Sequence, residues 1–430
     1  MNMNSQTASS PSLIRKEHLL PFILVTGLFV FWGIAVNLNS VLVKQFMKSF
    51  ELSPFKAGLV TTAFFIGYFS LAIPAAYIMR RFNYKTGLVT GLILYALGSY
   101  MFWPAVLVGR YYMFLLALLI IASGLAFLET GANPFVAILG DPRTSEQRLN
   151  LSQSFNSFGA VGGVLIGTLF IFSGIELSNT QMETLKASGE YTAYLRTENL
   201  RVMRPYLVIG TVMLIWAFLL VRTRFPVSPD EVEARTTKQK ASMRDLLKYP
   251  HFIKGVIAQF FYVGAQVGTW SYYIKYIEDY TGETEKLAGA FLTGTLVAFG
   301  AGRFAATYLM KHFKPNLLMG WFGLINIILA GLAVLVPGWL GVWTLFFTSF
   351  FMSLMFPTIF ALGIKNLGHL TKSGGSLMVM SIVGGALLTP LMGLVFEIRQ
   401  SMAMSMLIPL ICYVVVTHYS FIGYKINSVP

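Results

Sequence analysis

The chain has 430 residues, 55% of them hydrophobic and only 12% charged, with a mean hydropathy of +0.66 and a formal net charge of +14. Soluble domains carry about twice that share of charge, so an ordinary soluble fold is excluded and a polytopic membrane protein is indicated. A single cysteine, Cys412, rules out an intrachain disulfide. Five histidines with no HExxH pattern or close pair argue against a metal site.

Twelve apolar runs follow in order, at about 19–43, 57–79, 87–109, 111–139, 149–173, 203–221, 252–277, 287–310, 316–336, 338–363, 374–396 and 402–424. Each is long enough for a membrane helix. The fourth, tenth and eleventh contain polar or Gly/Pro breaks, which a bundle with a wet interior tolerates. The first run is too long for a signal peptide and lacks an Ala-x-Ala-like exit, so it is read as a span. Basic residues collect in alternate connections: Arg80, Arg81 and Lys85 after the second run, a dense group over 222–251, and Lys311 and Lys314 after the eighth. Cytoplasmic loops collect Lys and Arg, which explains the charge better than nucleic acid does and places both termini inside a cell inner (plasma) membrane. The 174–202 loop, with Glu176, Glu183, Glu190 and Glu198, falls on the opposite side.

The longest basic connection divides the chain into a tail over 1–18, six spans over 19–221, a central loop over 222–251, six spans over 252–424 and a tail over 425–430. Within the loop, 243–249 suits a short surface helix. Weak internal repeats support duplication. Tyr77-Ile78-Met79-Arg80-Arg81-Phe82 resembles Tyr308-Leu309-Met310-Lys311-His312-Phe313, and Gly162-Gly163 aligns with Gly384-Gly385. The expected architecture is an all-α membrane protein of the major facilitator fold, with twelve transmembrane helices in two pseudo-symmetric six-helix bundles. One departure is that no aspartate begins the second-loop motif in the common Gly-x-x-x-Asp pattern.

Polar residues recur at helical spacing. In the first span Gly33, Asn37 and Ser40 share a face. In the fourth, Glu129 and Asn133 are one turn apart, beside Pro134. In the fifth, Gln153 and Asn156 share a face with Gly163. In the seventh, Gln259, Tyr262, Gln266 and Tyr273 form a stripe with Trp270 at its edge. Amides hydrogen-bond hydroxyls and aromatic rings stack on sugars, so these faces suit a sugar cavity; interhelical hydrogen bonding is the alternative for each amide.

Glu129 lies in Leu115–Leu139, which has no other formal charge. An ionised carboxylate at membrane depth costs at least ~2.5–3.5 kcal/mol, so intramembrane acids mark ion, proton or substrate sites by default; a structural pairing with a neighbouring helix is the alternative. Arg148, at the start of the fifth span, suits lipid phosphate or an inner gate. Arg303 is deeper and pairs or snorkels; together with Arg148 and the loop residues Arg80 and Arg81 it makes up the gating candidates. Lys365 and Asn366 are read as headgroup anchors, and the glycines at 159, 162, 163, 374, 375, 384 and 385 as packing sites. No Walker-type loop is present, which leaves an ion gradient or facilitation as the driving force.

Several segments together resemble the fucose:proton symporter family of the major facilitator superfamily. They are Asn37-Leu38-Asn39, Leu128-Glu129-Thr130 with Ala132-Asn133-Pro134-Phe135, and Arg148-Leu149-Asn150-Leu151 with Phe155-Asn156-Ser157-Phe158-Gly159. Further matches are Ala258-Gln259-Phe260, Tyr262 to Gln266, Trp270-Ser271-Tyr272, Gly302-Arg303-Phe304, and Pro357 to Phe360 followed by Leu362 to Gly368. The resemblance implies proton-coupled sugar uptake by a monomer without cofactor. It makes Glu129 the membrane carboxylate and places Gln153 and Asn156 in the sugar cavity. Two positions depart from the family pattern: Ser40 stands where it has aspartate, and Phe356 where it has tyrosine. They leave open the sugar (L-fucose, glucose, galactose or N-acetylglucosamine) and the coupling ion. Ser40 with Glu129 would suit sodium; an uncoupled carrier is a further alternative. A non-sugar exporter or a sensor fits the amide-rich stripes and short soluble segments less well, and no nucleophile–base pair suggests an enzyme.

Overall fold

A computed structural model describes residues 13–14, 16–52, 54–173, 177–227 and 243–426. The tails expected over 1–18 and 425–430 and the central loop expected over 222–251 lie partly outside the described residues. Within them the chain is helical throughout, without strands.

The first helix runs Leu19–Ser49, the second Pro54–Arg81, the fourth Tyr111–Ile138 and the sixth Tyr191–Arg222. The third covers Tyr84–Val108 and the fifth Pro142–Ile171. The seventh is Pro250–Thr281, the eighth Glu285–Leu309 and the ninth Pro315–Leu335. The tenth, eleventh and twelfth cover Trp339–Ile364, Gly368–Arg399 and Met402–Gly423. Eleven are both long and apolar enough to cross a membrane. The seventh is not among them, although its 32 residues span about 48 Å, because its Gln and Tyr stripe lowers its hydropathy. A 3-10 helix occupies Met243–Lys248, inside the stretch expected to form a short surface helix.

The sixth helix begins at Tyr191, a dozen residues earlier than its apolar run, and a short helix, Asn179–Ala187, precedes it. The expected 174–202 loop is therefore largely helical. The reason is pairing: Gln45 Nε2 donates to the Glu198 carboxylate at 3.0 Å and Lys48 Nζ lies 3.3 Å from it, so a buried acid no longer opposes helix packing. The break expected in the fourth helix is also absent, for Pro134 sits inside a continuous helix. Breaks do occur in the tenth, at Ser353–Leu354, in the eleventh, at Ser381–Ile382, and in the fifth, at Phe155. All three follow or include a serine whose hydroxyl donates back to the preceding turn: Ser154 to Asn150, Ser353 to Phe350 and Ser381 to Met378. Such back-bonding competes with the helix ladder and bends it.

The two halves repeat one packing scheme. The first helix packs on the fifth as the seventh packs on the eleventh, the second on the fourth as the eighth on the tenth, and the third on the sixth as the ninth on the twelfth. Glycines permit the first of these pairings. A Cβ on Gly159 would collide with the Val30 carbonyl, and one on Gly384 with the Phe260 carbonyl. Large apolar side chains such as Trp103, Leu107, Val208, Leu335 and Ile398 are exposed on the outside, as a lipid-facing surface requires.

Candidate functional site

The fourth helix carries Glu129, Thr130 and Asn133 in its buried stretch; Glu129 is 6% exposed. The Tyr68 hydroxyl on the second helix and the Trp32 indole on the first reach the Glu129 carboxyl. Trp32 Nε1 in turn donates to the Tyr68 oxygen. Glu129 Oε2 has no hydrogen-bond partner among the described residues. One turn on, Asn133 Nδ2 donates to the Glu129 carbonyl at 3.2 Å, and its Oδ1 accepts from Gln153 Nε2 at 2.7 Å. The spacing that put these residues on facing sides of the fourth and fifth helices thus becomes a hydrogen-bonded pair.

Asn156 donates to the Phe29 carbonyl at 3.2 Å, which ties the fifth helix to the first. Asn37 donates within its own helix, to Gly33, at 2.9 Å. Both amides are half-buried. The Ser40 side chain lies outside the described residues.

The seventh-helix stripe divides in three dimensions. Gln259 is fully buried, and neither of its amide atoms has a partner among the described residues; the same holds for the Tyr262 hydroxyl. Phe356 stands edge-on to Tyr262 at 6.2 Å. Gln266 and Trp270 are half-buried, and Trp270 Nε1 donates to Ser349 Oγ at 3.0 Å. Tyr273 departs from the group: its hydroxyl donates to the Val342 carbonyl at 2.9 Å, inside a separate apolar cluster of the carboxy-terminal half. There it fastens the seventh helix to the tenth.

The gating candidates also divide. Arg81 is exposed over the Phe82 ring and Arg80 is half-buried. Arg148 is fully buried. Its Nε donates to Val136 at 2.7 Å, Nη2 to Ala137, and Nη1 to the Leu13 and Asp141 carbonyls and to Thr144 Oγ1. It therefore caps the last turn of the fourth helix within its own half, which corrects the expectation of a lipid anchor. Asp141, in the adjoining turn, accepts from both the side chain and the backbone N–H of Arg143, which hold its carboxyl down at about 2. Arg303 is 4% exposed and reaches across to the other half, donating to the Gln153 carbonyl at 2.5 Å.

Four further contacts between the halves went unread in the sequence. Lys365 Nζ lies 2.9 Å from Glu146 Oε1, Gln147 Nε2 donates to the Thr307 carbonyl at 3.0 Å, Asn150 Nδ2 to Thr358 Oγ1 at 3.1 Å, and Lys372 Nζ to the Met79 carbonyl at 3.0 Å. Lys365 is thus an interdomain ion-pair residue instead of a headgroup anchor. The one available signal was that Glu146 and Lys365 both adjoin short connections at the end of the molecule that carries the termini. All four contacts, and that of Arg303, lie in the terminus-side portions of their helices. The halves meet mainly through Ser145–Ser154, Met355–Ile364 and Thr371–Met380, so this end is closed.

The sequence pattern of the Major Facilitator Superfamily matches residues 23–390. The chain is 41% identical over 404 residues to the L-fucose-proton symporter of Escherichia coli (strain K12), covering 93% of this chain and 92% of that protein. It is 31% identical over 407 residues to a glucose/galactose transporter of Brucella abortus biovar 1 (strain 9-941), covering 93% of each. Among solved structures, the transporter FucP in the outward conformation superposes with a TM-score of 0.85 at 39% identity, covering 95% of this chain and 99% of that one.

Proposed function

The chain belongs to the major facilitator superfamily, a multi-pass membrane transporter by kinship, and we propose that it imports a monosaccharide together with a proton by alternating access. The substrate class is L-fucose or a related hexose, because the similar proteins are an L-fucose-proton symporter and a glucose/galactose transporter. The observation that carries this reading is Glu129: a buried acid with one oxygen unpartnered, continuous through Asn133 with the amide of Gln153. Such an acid takes up a proton on one side of the membrane and releases it on the other.

In this scheme the half-buried amides of Asn37, Asn156 and Gln266 and the Gln153–Asn133 pair bind sugar hydroxyls, and Trp270 supplies the stacking face. Gln259, Tyr262 and Phe356 form the floor in the carboxy-terminal half. Arg80, Arg81 and Arg303 belong to the closing machinery at the terminus-bearing end. The basic connections that hold Arg80, Arg81, Lys311 and Lys314 support a cytoplasmic placement of that end in a plasma membrane. Two bundles, 19–221 and 252–424, rock about the site, and a monomer suffices.

The test is uptake of radiolabelled L-fucose, D-glucose, D-galactose and N-acetylglucosamine into proteoliposomes, with and without an imposed inward proton gradient. Gradient-driven accumulation of one of them is expected. Ser40, in place of the family aspartate, favours sodium as the second reading. Accumulation that follows a sodium gradient and ignores a protonophore would replace the proton with Na⁺.

A further inference from the structure

Arg303 is buried on the eighth helix and forms no ion pair among the described residues. Two backbone carbonyls meet its guanidinium instead: Ser353, from Nε at 3.2 Å, and Gln153, from Nη1 at 2.5 Å. Both acceptors stand at helix breaks. Ser353 opens the break of the tenth helix, and the residue four positions on is Pro357, which has no N–H to offer that carbonyl. Gln153 stands two residues before the break of the fifth helix, in the opposite half. A single cation thus receives one carbonyl from each half. Its Cζ lies over the Phe299 ring, 4.6 Å from the centroid, and Phe299 meets Trp270 edge-on at 5.1 Å. On the far side, the Gln153 amide bonds Asn133, and Asn133 bonds the carbonyl of Glu129.

We propose that Arg303 is a positioning residue that clamps the broken fifth and tenth helices across the two halves, and that turnover requires it to release the Gln153 carbonyl. The clamp holds the Gln153–Asn133 arm in register while the terminus-bearing end is closed. Release frees the fifth helix to move with its own half. A forked guanidinium suits this task because it serves two carbonyls at fixed angles while held over a ring; a lysine ammonium is a flexible point donor.

The transport arm of the test rests on the sugar-transport reading above, but the conformational arm does not. Thr358 is fully buried and bonded to Asn150 across the closed interface, so Thr358→Cys in the purified full-length protein reports opening at that end through its rate of maleimide labelling. The native Cys412 is also buried and serves as the background. Introducing Arg303→Lys or Arg303→Gln into Thr358→Cys is expected to raise the labelling rate about tenfold, since one or both charge-assisted hydrogen bonds are lost. Sugar counterflow should show a raised KM together with a lowered maximal rate. Arg303→Lys labelling as slowly as the parent overturns the clamp, whatever happens to transport, for charge alone would then suffice. Should neither Arg303 variant fold, Phe299→Leu, which removes only the supporting ring, decides the matter by the same labelling: an unchanged rate overturns the proposal. Failure of the wild-type protein to carry any tested sugar would sink the transport reading and leave the labelling comparison standing.

Discussion

Glu129 and Asn133 stand one helical turn apart, and that spacing made them legible in the sequence, because the α-helical period alone puts such residues on one face. Their partners were less legible. Tyr68 and Trp32 come from other helices, and nothing in a linear pattern distinguishes them from the many aromatic residues facing lipid. Glu129→Gln keeps the shape of the side chain and removes its titratable proton. The variant should lose uphill accumulation in proteoliposomes while retaining sugar counterflow; full accumulation by the variant would move the coupling site elsewhere. Tyr273 gives a contrasting expectation. Its hydroxyl bonds the Val342 carbonyl within one half, so Tyr273→Phe should lower stability by about 1 kcal/mol, the net worth of a neutral hydrogen bond, seen as a lower melting temperature with the KM for sugar unchanged. Asp141 supplies the pH dependence outside the membrane. Its carboxyl is held at about 2 by Arg143, so its contribution to the 139–144 turn is fully present above the ordinary aspartate range and is lost as pH falls through about 2. Hydrogen exchange in that turn should therefore be indifferent to this group from pH 8 to 5, and Asp141→Asn should speed it at neutral pH.

At the scale of the helix, the apolar runs located twelve spans but misplaced some ends and breaks. Hydropathy sees only side-chain composition. It therefore stopped short of the paired, buried Glu198, and it anticipated a break at Pro134 where a single lost hydrogen bond is absorbed within the helix. At the breaks of the fifth, tenth and eleventh helices a serine hydroxyl returns to the preceding turn, and in the tenth Pro357 also withholds the N–H that the Ser353 carbonyl would accept. Ser123 makes the same return bond inside the unbroken fourth helix, so a serine by itself does not mark a break. Glycines show the same division. Gly159 and Gly162 look alike in the sequence, yet a Cβ on Gly159 would strike the Val30 carbonyl, whereas one on Gly162 would rest 3.7 Å from Ile34 Cγ1. Gly159→Ala should cost about 1–3 kcal/mol by overpacking the first helix against the fifth. Gly162→Ala should be neutral or slightly stabilising; thermal unfolding in one detergent compares the two directly, and equal losses would refute the distinction.

For the whole molecule, the closed end is held by a small set of polar contacts. Glu146 is 3% exposed on its side chain and its ion-pair partner is Lys365. The Lys365 side chain is 36% exposed, so removing it strands the buried acid at a cost below the roughly 3–5 kcal/mol typical of a fully buried pair. Because this pair joins the halves only while the terminus-bearing end is closed, Lys365→Ala should favour the alternative, open arrangement more than it favours unfolding. Faster maleimide labelling of Thr358→Cys with a modest change in melting temperature is expected, and Glu146→Gln in addition should reverse part of the effect by removing the stranded charge. Unaltered labelling in Lys365→Ala would mean that the pair does not hold the gate. Sequence alone determined the number and order of spans, the duplication into two bundles and the buried acid with its neighbouring amides. It could do so because lipid leaves no partner for unpaired backbone groups and makes every charge conspicuous. Only the tertiary structure decided which end is closed, that Lys365 and Arg303 reach into the opposite half, and that Arg148 and Tyr273 serve packing within their own. Those outcomes rest on backbone carbonyls and on contacts between halves, which the same spans can make or break without any change in their apolar faces.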